Sequence, residues 1–553
     1  MATAPAQWNL EVDVVIAGSG LGAMSAAIVA QDNGLKVAIL EKAPKLGGVC
    51  AYSGGEVFVP CNYKMLAEGT EDNETEAFAY LDFLAGGYAN KALQRILFDK
   101  GREAAEYLGE KAGIAWKTIK GFPDYHYPHA PGTLAEGRYL EVELFNGPDL
   151  KEWQKKTYLT PHMPPGINHD TLFEWGSVSC VTKWDFAHMG KQIGADQRGM
   201  GPGMMGYFVK AALIDRTNAQ AFVETPVREL ITEGSRVIGV RAEAADGNDF
   251  FVKANKGVLL GVGGYDWNEE MAIQFEGLPE WKSMCQPHLH GDNIVLGGEV
   301  GASLGGVPSY NLGMFFGYTI PGEEHDGHPL CRASWEGGYP HAIWVNDEGK
   351  RFCDESFYRE YLPKVHGWDG VKQQHTNYPP YLIFDSNYRE KYSFATFLPG
   401  MQIPDEMIVK ADTPRELAEK LGIDADNFVE TLERFNSFAD GETDPDFGRG
   451  TYPWAAKFIG DRDRPNPNMG PLNKAPYYGI KLIPVGVGVN CVGLKTTATG
   501  QVQHVRGHGI EGLYACGNAA APLDTGAGYQ SGLSNLRNMT WGYVAAQHMC
   551  GIL

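Results

Sequence analysis

The chain has 553 residues, 43% hydrophobic and 21% charged, which are the proportions of a soluble globular protein and exclude a disordered tail. Its 70 glycines and 32 prolines stay below the roughly 25–30% that marks low-complexity chains, so individual glycines are read as having local work. A formal charge of −21 repels phosphate backbones and anionic lipid, which excludes nucleic acid and membrane surfaces as expected partners.

Nine scattered cysteines without a C-x-x-C argue against a disulfide framework or a thiolate zinc site and for a reducing compartment. The opening MATAPAQWNLEVD lacks a basic segment followed by an apolar one, so the expected location is cytoplasmic. The run from Val12 to Ala30 holds Asp13 and three clustered glycines, which breaks any reading as a membrane span, and no stable membrane insertion is expected.

EVDVVIAG predicts a strand buried on both faces, and GSGLGAMSAAIVAQDNG predicts a helix closed by Gly34. A second strand, KVAILEK, completes a βαβ unit in which Gly18, Gly20 and Ala23 form G-x-G-x-x-[G/A] and Glu41 ends the second strand. Gly18 permits the tight turn, Gly20 lets a pyrophosphate approach the backbone, and Ala23 keeps helix close to strand. Leu21 and Gly22 open the helix whose N–H groups face the phosphates. Glu41, with Lys42 beside it, is placed at a ribose hydroxyl and repels a 2′-phosphate. The glycine pairs Gly47–Gly48 and Gly54–Gly55 in APKLGGVCAYSGGEVFVP let backbone wrap a bulky cofactor closely.

On these motifs the chain resembles the flavoproteins of the fumarate reductase and 3-ketosteroid dehydrogenase superfamily. The resemblance implies FAD, with Glu41, Gly48, Ser53, Gly54 and Gly55 at its pyrophosphate and ring, and because no His or Cys stands in a tethering context the FAD is expected to be non-covalent. It also implies the backbone of Val227 at the adenine, and a second closing turn at Gly263 and Gly264. Asp292, Gly517, Asn518, Gly532, Leu533 and Ser534 complete the expected cofactor set.

Residues 61–115 read as helical and polar, whereas 116–206 is rich in Pro, Gly, Trp and His with little periodicity and reads as a long excursion. Periodicity returns in MMGYFVKAALIDR, a helix, then in AFVETPVRELITEGSRVIGVRAEA and KGVLLGVGGYDWN, which read as strands. The segment 277–478 carries its own helices and loops, and 479–553 ends in GIEGLYACGNAAAP, a strand into a glycine turn, and a final helix in GYQSGLSNLRNMTWGYVAAQHM. The expected fold is α/β: a discontinuous Rossmann-like FAD-binding domain, residues 1–276 and 479–553, with an α+β cap (catalytic) domain inserted at 277–478.

Two places offer redox chemistry opposite a cofactor ring. Tyr529-Gln530-Ser531-Gly532, at the entrance to the last helix, brings a phenol, a hydroxyl and backbone N–H groups toward a carbonyl oxygen gaining negative charge. Asp354-Glu355-Ser356-Phe357-Tyr358, following NDEGKRF, offers Tyr358, with Tyr361 as its rival. In ketosteroid dehydrogenases a cap tyrosine takes the proton beside the ketone while a C-terminal tyrosine and a backbone amide polarise the carbonyl. The resemblance therefore implies Tyr358 or Tyr361 as base, as a phenolate lowered toward neutral pH, with Tyr529 and Gly532 as donors and Ser531 relaying the proton. The Y-x-S-G string looks most like the Δ4-type enzymes and less like the Y-P-G of the Δ1 type.

The expected reaction introduces an α,β double bond into a cyclic ketone, a 3-oxosteroid or a smaller cyclohexanone-type ring, by α-proton abstraction and β-hydride transfer to flavin N5. The alternative is fumarate-reductase-like reduction of an enoate or enone. That branch needs arginines to clamp an acid, and only Arg351 offers itself. Trp116, Tyr125 and Tyr127 are candidates to narrow a ring pocket. No motif marks the electron acceptor, a quinone or a redox protein. The pairs His288/His290 and His126/His129 lack a third ligand, so no metal is expected. Gly301-x-Ser303-x-Gly305 follows a helix where a hydrolase elbow follows a strand.

Overall fold

The computed structural model describes residues 4–311 and 313–553. Leu10–Ala17 lies inside its largest sheet, paired in parallel with Val37–Leu40 on one side and Asp249–Leu260 on the other. Ala219–Phe222 and Gly509–Ala515 continue the parallel order outward. The last four residues of the first strand and all four of the second are buried, as β-branched runs covered on both faces require. Arg236–Glu243 and Val227–Glu233 extend the sheet in antiparallel fashion from Asp249–Leu260.

The helix Leu21–Asp32 is buried on nearly every side, being covered by Met200–Leu213 and Leu533–Met549 as well as by the sheet. Small residues make this possible. A Cβ on Gly22 would stand 2.6 Å from the Asn538 carbonyl oxygen, and one on Gly542 would stand 2.0 Å from that of Gly22. The crossing of these two glycines is what lets the first and last helices open into the same cavity, lined by Leu21 from one and Gly532 and Ser534 from the other.

The excursion 116–206 is more ordered than its sequence suggests. Trp116–Thr118 and Tyr139–Val142 pair with each other, and Tyr139–Val142 also pairs with Val57–Phe58. Strands of two to four residues are too short to print an alternating pattern. This small sheet is tied to the last helix by the Phe58 N–H, which donates to the Gly532 carbonyl at 3.1 Å.

The inserted segment forms two antiparallel-rich sheets. One joins Ala342–Val345, Tyr381–Phe384, Tyr477–Lys481 and Val409–Ala411; the other joins Lys282–Ser283, Ile483–Gly486, Met314–His325 and His328–Ala333. A boundary after residue 478 cuts the strand Tyr477–Lys481, and the chain next enters the large sheet at Gln501–Gln503. Long-range antiparallel pairing of this kind leaves no local signature in sequence. Among the described residues no helix is long and apolar enough to cross a membrane.

Candidate functional site

One cavity receives the ends of the parallel strands, the glycine turns and the inserted segment. Its volume is about 350 Å3, within the ~300–1,000 Å3 of a ligand pocket, and its wall runs from the fingerprint glycines to a cluster of aromatic side chains.

At the dinucleotide end the wall includes Gly18, Gly20, Leu21, Glu41, Lys42, Gly48, Ser53, Gly54, Val227, Gly263, Asp292, Asn518, Gly532 and Ser534. The two glycines of the fingerprint differ in what surrounds them. Gly18 has φ +94° and a Cβ there would lie 2.3 Å from the Gly261 carbonyl oxygen, whereas a Cβ on Gly20 would meet no protein atom within 4 Å. The first glycine is demanded by the fold; the second leaves space for a ligand at a helix N-terminus, where anions are favoured. Glu41 is buried, which raises its carboxyl, while the Ser19 hydroxyl at 2.6 Å and the Ala43 N–H at 2.7 Å oppose the rise by donating to it. Lys42 pairs with Asp292 at 2.9 Å. Gln286 and Asn518 line the cavity, and each has a buried side-chain oxygen without a partner. Buried acceptors of this kind are rarely left bare and here suit a ligand's donors. The turn, the open space at Gly20, the acid and the two bare oxygens fit a flavin dinucleotide. Ser19, Gln286, Asn535 and Asn538 also line the wall; no motif marks them, since chain folding alone brings them there.

Several expected cofactor residues lie behind the wall instead. Gly55 has φ +79° and backs onto Met200, Gly264 leaves room for Asn490, and Gly517 leaves room for Asn538. Gly22 serves the helix crossing, Ala23 packs on Gly261, and Leu533 is a core residue. Their small size or apolarity supports the wall from the second layer, a role that motif spacing cannot distinguish from contact.

The other end of the cavity is aromatic, with Tyr125, Phe315, Trp335, Tyr358, Trp454 and Tyr529 among its lining. Tyr358 opens the helix Tyr358–Val365 and sits within ring contact of Phe315, Trp454 and Tyr125. Its hydroxyl is hydrogen-bonded to that of Tyr125. Tyr361 does not reach the cavity: one helical turn beyond Tyr358, it packs on Trp344 with ring centroids 4.4 Å apart and on Phe316. Of the aromatics expected to narrow the pocket, Tyr125 lines it. Trp116 instead donates to the Ala105 carbonyl at 3.0 Å inside the helical layer, and Tyr127 lies off the wall.

Arg359, 4% exposed, places its guanidinium 3.9 Å from the Tyr358 ring centre and 5.2 Å from that of Tyr529. It follows Tyr358 in sequence, but nothing in its neighbourhood signals that it will sit between two tyrosines. Burial drives the Tyr358 phenol up to about 12, against the opposing Arg359 charge and the Tyr125 hydrogen bond. It is therefore a protonated phenol near neutrality, not the lowered phenolate expected from sequence. Tyr529 is raised as well, first by burial and then by Tyr358 and Glu56, with Arg359 opposing. Gln530 does not face the ligand space; its amide joins Tyr80, Tyr139 and the Tyr125 N–H and so locks the loop that presents Tyr529 and Ser531. Arg351 is a structural residue, paired with Glu355 at 2.7 Å and Asp444 at 2.8 Å.

Residues 13–532 match the FAD binding domain family. The chain belongs to that family. FAD is accordingly the cofactor of the dinucleotide end. The chain is similar to the 3-oxosteroid 1-dehydrogenase of Mycolicibacterium smegmatis, 32% identical with 97% of this chain and 96% of that protein covered. It is similar to the 4-oxocyclohexanecarboxylate 2-dehydrogenase of Sinomonas cyclohexanicum at 31% identity, with 98% and 93% covered. Among solved structures, the 3-ketosteroid delta1-dehydrogenase of Sterolibacterium denitrificans in complex with 1,4-androstadiene-3,17-dione superposes with a TM-score of 0.87 at 27% identity, covering 98% of this chain and 99% of that one. The 3-ketosteroid-delta4-(5alpha)-dehydrogenase of Rhodococcus jostii also superposes in fold, with a TM-score of 0.62 at 19% identity, covering 99% of this chain and 98% of that one.

Proposed function

We propose that the protein is an FAD-dependent dehydrogenase that introduces a double bond beside the carbonyl of a neutral cyclic ketone of steroid size. The observation that carries the reading is the meeting of Tyr358, from the inserted segment, and Tyr529, from the C-terminal loop, in one aromatic chamber, with Arg359 against both rings. Bound FAD supplies the acceptor for the hydrogen that leaves the β carbon with its electron pair.

The protein's own contribution is to loosen the α-hydrogen. The Tyr529 hydroxyl and the Gly532 N–H, at the mouth of the helix Leu533–Met549, donate to the ketone oxygen and stabilise the charge that gathers there. The Arg359 cation strengthens this from behind Tyr529. Tyr358 takes the α-proton as its own phenolic proton passes to the hydrogen-bonded Tyr125, which releases its proton in turn into the cavity it lines. The rings around them exclude water, so each of these interactions acts in a weakly screening environment.

Among the described residues lining the cavity, Lys42, at the dinucleotide end, is paired with Asp292 and Arg332 with Glu323 at 2.7 Å, leaving no arginine pair to clamp an acid. Glu336, buried beside Tyr318, adds a carboxyl group to the wall that accepts from Tyr318 at 2.5 Å and Ser334 at 2.7 Å. Both features support a neutral ketone over a carboxylated ring, and neither supports enoate reduction. The relatives named for 3-oxosteroids and for a ring ketone agree with the reaction class. Anaerobic mixing with a panel of 3-oxosteroids, cyclohexanones and 4-oxocyclohexanecarboxylate tests the reading by flavin absorbance. The expected result is bleaching by 3-oxosteroids; bleaching by the carboxylate alone, or by no ketone, refutes it.

A further inference from the structure

Of the string Tyr529-Gln530-Ser531-Gly532, Gln530 alone is absent from the cavity wall. It is buried behind the other three and turns its amide into the protein. Its Oε1 accepts the backbone N–H of Tyr125 at 3.0 Å and the Tyr80 hydroxyl, and its Nε2 donates to the Tyr139 hydroxyl. A backbone N–H can only donate, so the Tyr125 contact fixes which end of the amide is the oxygen. Gln530, Tyr80 and Tyr139 are each 0% exposed, so bulk water does not compete for these bonds.

The loop that carries Tyr125 is held at consecutive residues. The Tyr139 hydroxyl donates to the Pro123 carbonyl at 3.3 Å, Arg138 donates to the Asp124 carboxylate at 2.8 Å, and the Tyr125 N–H is held by Gln530. Arg138 is itself paired with Asp72 at 2.7 Å. Tyr125 then shares a hydrogen bond with the Tyr358 hydroxyl. Gln530 follows Tyr529 directly in the chain, so one side chain joins the two halves of the chamber: the Tyr125–Tyr358 hydroxyl pair and the Tyr529 phenol. A buried polar network with its partners in place rigidifies its surroundings and specifies one arrangement. An apolar side chain of the same length would fill the space but leave the Tyr125 N–H bare, at the desolvation cost of an unpaired donor.

The neighbouring wall is held by other contacts. The Phe58 N–H holds the Gly532 carbonyl at 3.1 Å, and the Asn535 amide donates to the Glu56 carbonyl at 2.8 Å. His169, 1% exposed, sets its Nε2 at 3.0 Å from one carboxylate oxygen of Glu56 and its Nδ1 at 2.8 Å from one of Glu141. Glu141 and Tyr139 stand two residues apart on one strand and so share a face of it. That strand anchors Glu56 through His169 and meets Gln530 through Tyr139 by separate contacts, so loosening Gln530 leaves Gly532 and the dinucleotide end in place.

The geometry points to Gln530 as a positioning residue for the desaturation, whose single amide fixes the Tyr529 phenol relative to the Tyr125–Tyr358 pair. This rests on the ketone-desaturating reading above, in which Tyr529 polarises the ketone and Tyr358 takes the α-proton. The oxygen that Tyr529 holds and the hydrogen that Tyr358 removes sit on adjacent carbons of a ring, so donor and base must stand at one fixed separation. A misplacement of about 1 Å at such a pair costs about 10²-fold in rate.

The test uses holoenzyme carrying Gln530→Met, which keeps the length of the side chain and removes its amide, or Tyr139→Phe, which keeps the ring and removes the partner of Nε2. Each is reduced anaerobically by a 3-oxosteroid that bleaches the unaltered protein. Gln530→Met is expected to slow flavin reduction at saturating substrate by about 10²-fold, with FAD and substrate dissociation constants within about threefold of the unaltered values. Tyr139→Phe is expected to slow it by about fivefold, the equivalent of one hydrogen bond. A merely structural amide would lower the melting temperature and leave the rate of the folded holoenzyme unaltered. Independently of turnover, spectra of protein carrying ¹³C at tyrosine Cζ, assigned by Tyr→Phe replacement, are expected to show the Tyr358 signal displaced in both variants, because Tyr358 is reached through Tyr125. A Gln530→Met rate within about threefold of the unaltered one, or a Tyr358 signal that stays in place in both variants, overturns the assignment. Where Gln530→Met does not fold, the Tyr139→Phe rate and spectrum decide, and an unaltered rate there overturns it equally. An unaltered protein bleached by no ketone overturns the underlying reading instead, and the Tyr358 signal then tests the positioning apart from it.

Discussion

Replacing Tyr529 with Phe removes one oxygen from the cavity and leaves the ring, its packing and the Arg359 contact in place. A single donor to a developing oxyanion is worth about 2.7–4 kcal/mol in a water-excluded site, or roughly 10²–10³ in rate. The Gly532 N–H and the helix N-terminus remain, so the loss falls within that range and does not abolish turnover. Tyr361→Phe is the internal control. Its ring packs on Trp344 and Phe316 away from the cavity, so losing the hydroxyl leaves the rate within about twofold. The assay is single-turnover flavin reduction with saturating 3-oxosteroid, alongside thermal unfolding of each variant. A Tyr529→Phe rate within threefold of the unaltered protein, or a larger rate loss in Tyr361→Phe, refutes the assignment of these two phenols.

The two fingerprint glycines predict opposite failures. Gly20→Ala meets no protein atom, so the FAD-free protein unfolds at an unchanged temperature while FAD affinity drops at least tenfold by equilibrium dialysis; unchanged affinity would place the pyrophosphate elsewhere. Gly18→Ala, at φ +94° and against Gly261, is expected to yield little folded protein, judged by soluble expression and circular dichroism. The His169 cluster predicts a pH window for stability. Its imidazole is raised above the unfolded value, so its contribution is complete below about 6.5 and is lost as pH climbs through about 10. Glu56 is lowered, so its contribution is complete above its unfolded value and is lost as pH falls through its folded one. Thermal unfolding of the unaltered protein should therefore fall off toward pH 10 more steeply than that of His169→Gln, and parallel curves would contradict the ion-pair assignment.

How far the sequence was readable depended on how local the signal was. The βαβ unit carries its chemistry within about 30 residues, where strand period, helix composition and a glycine turn reinforce one another, and Gly18, Gly20 and Glu41 stand where that pattern implies. Tyr358 and Tyr529 were legible through resemblance. Tyr361 was not separable from Tyr358 by pattern, since only the helix rotation at this position decides which of the two faces the cavity.

What the tertiary structure alone decided is the set of neighbours that arrive from far along the chain. Arg359 lies against Tyr529 across 170 positions, and His169 links Glu56 to Glu141. No residue in such a set predicts its partners, because each is an ordinary polar residue until burial removes water and makes its charge expensive to leave alone. Sequence by itself determined the nucleotide fold, whose geometry is written into consecutive residues. The placement of charge around the tyrosines followed only from long-range packing, in which the Gly22–Gly542 crossing and short strands of two to four residues draw distant loops to one wall.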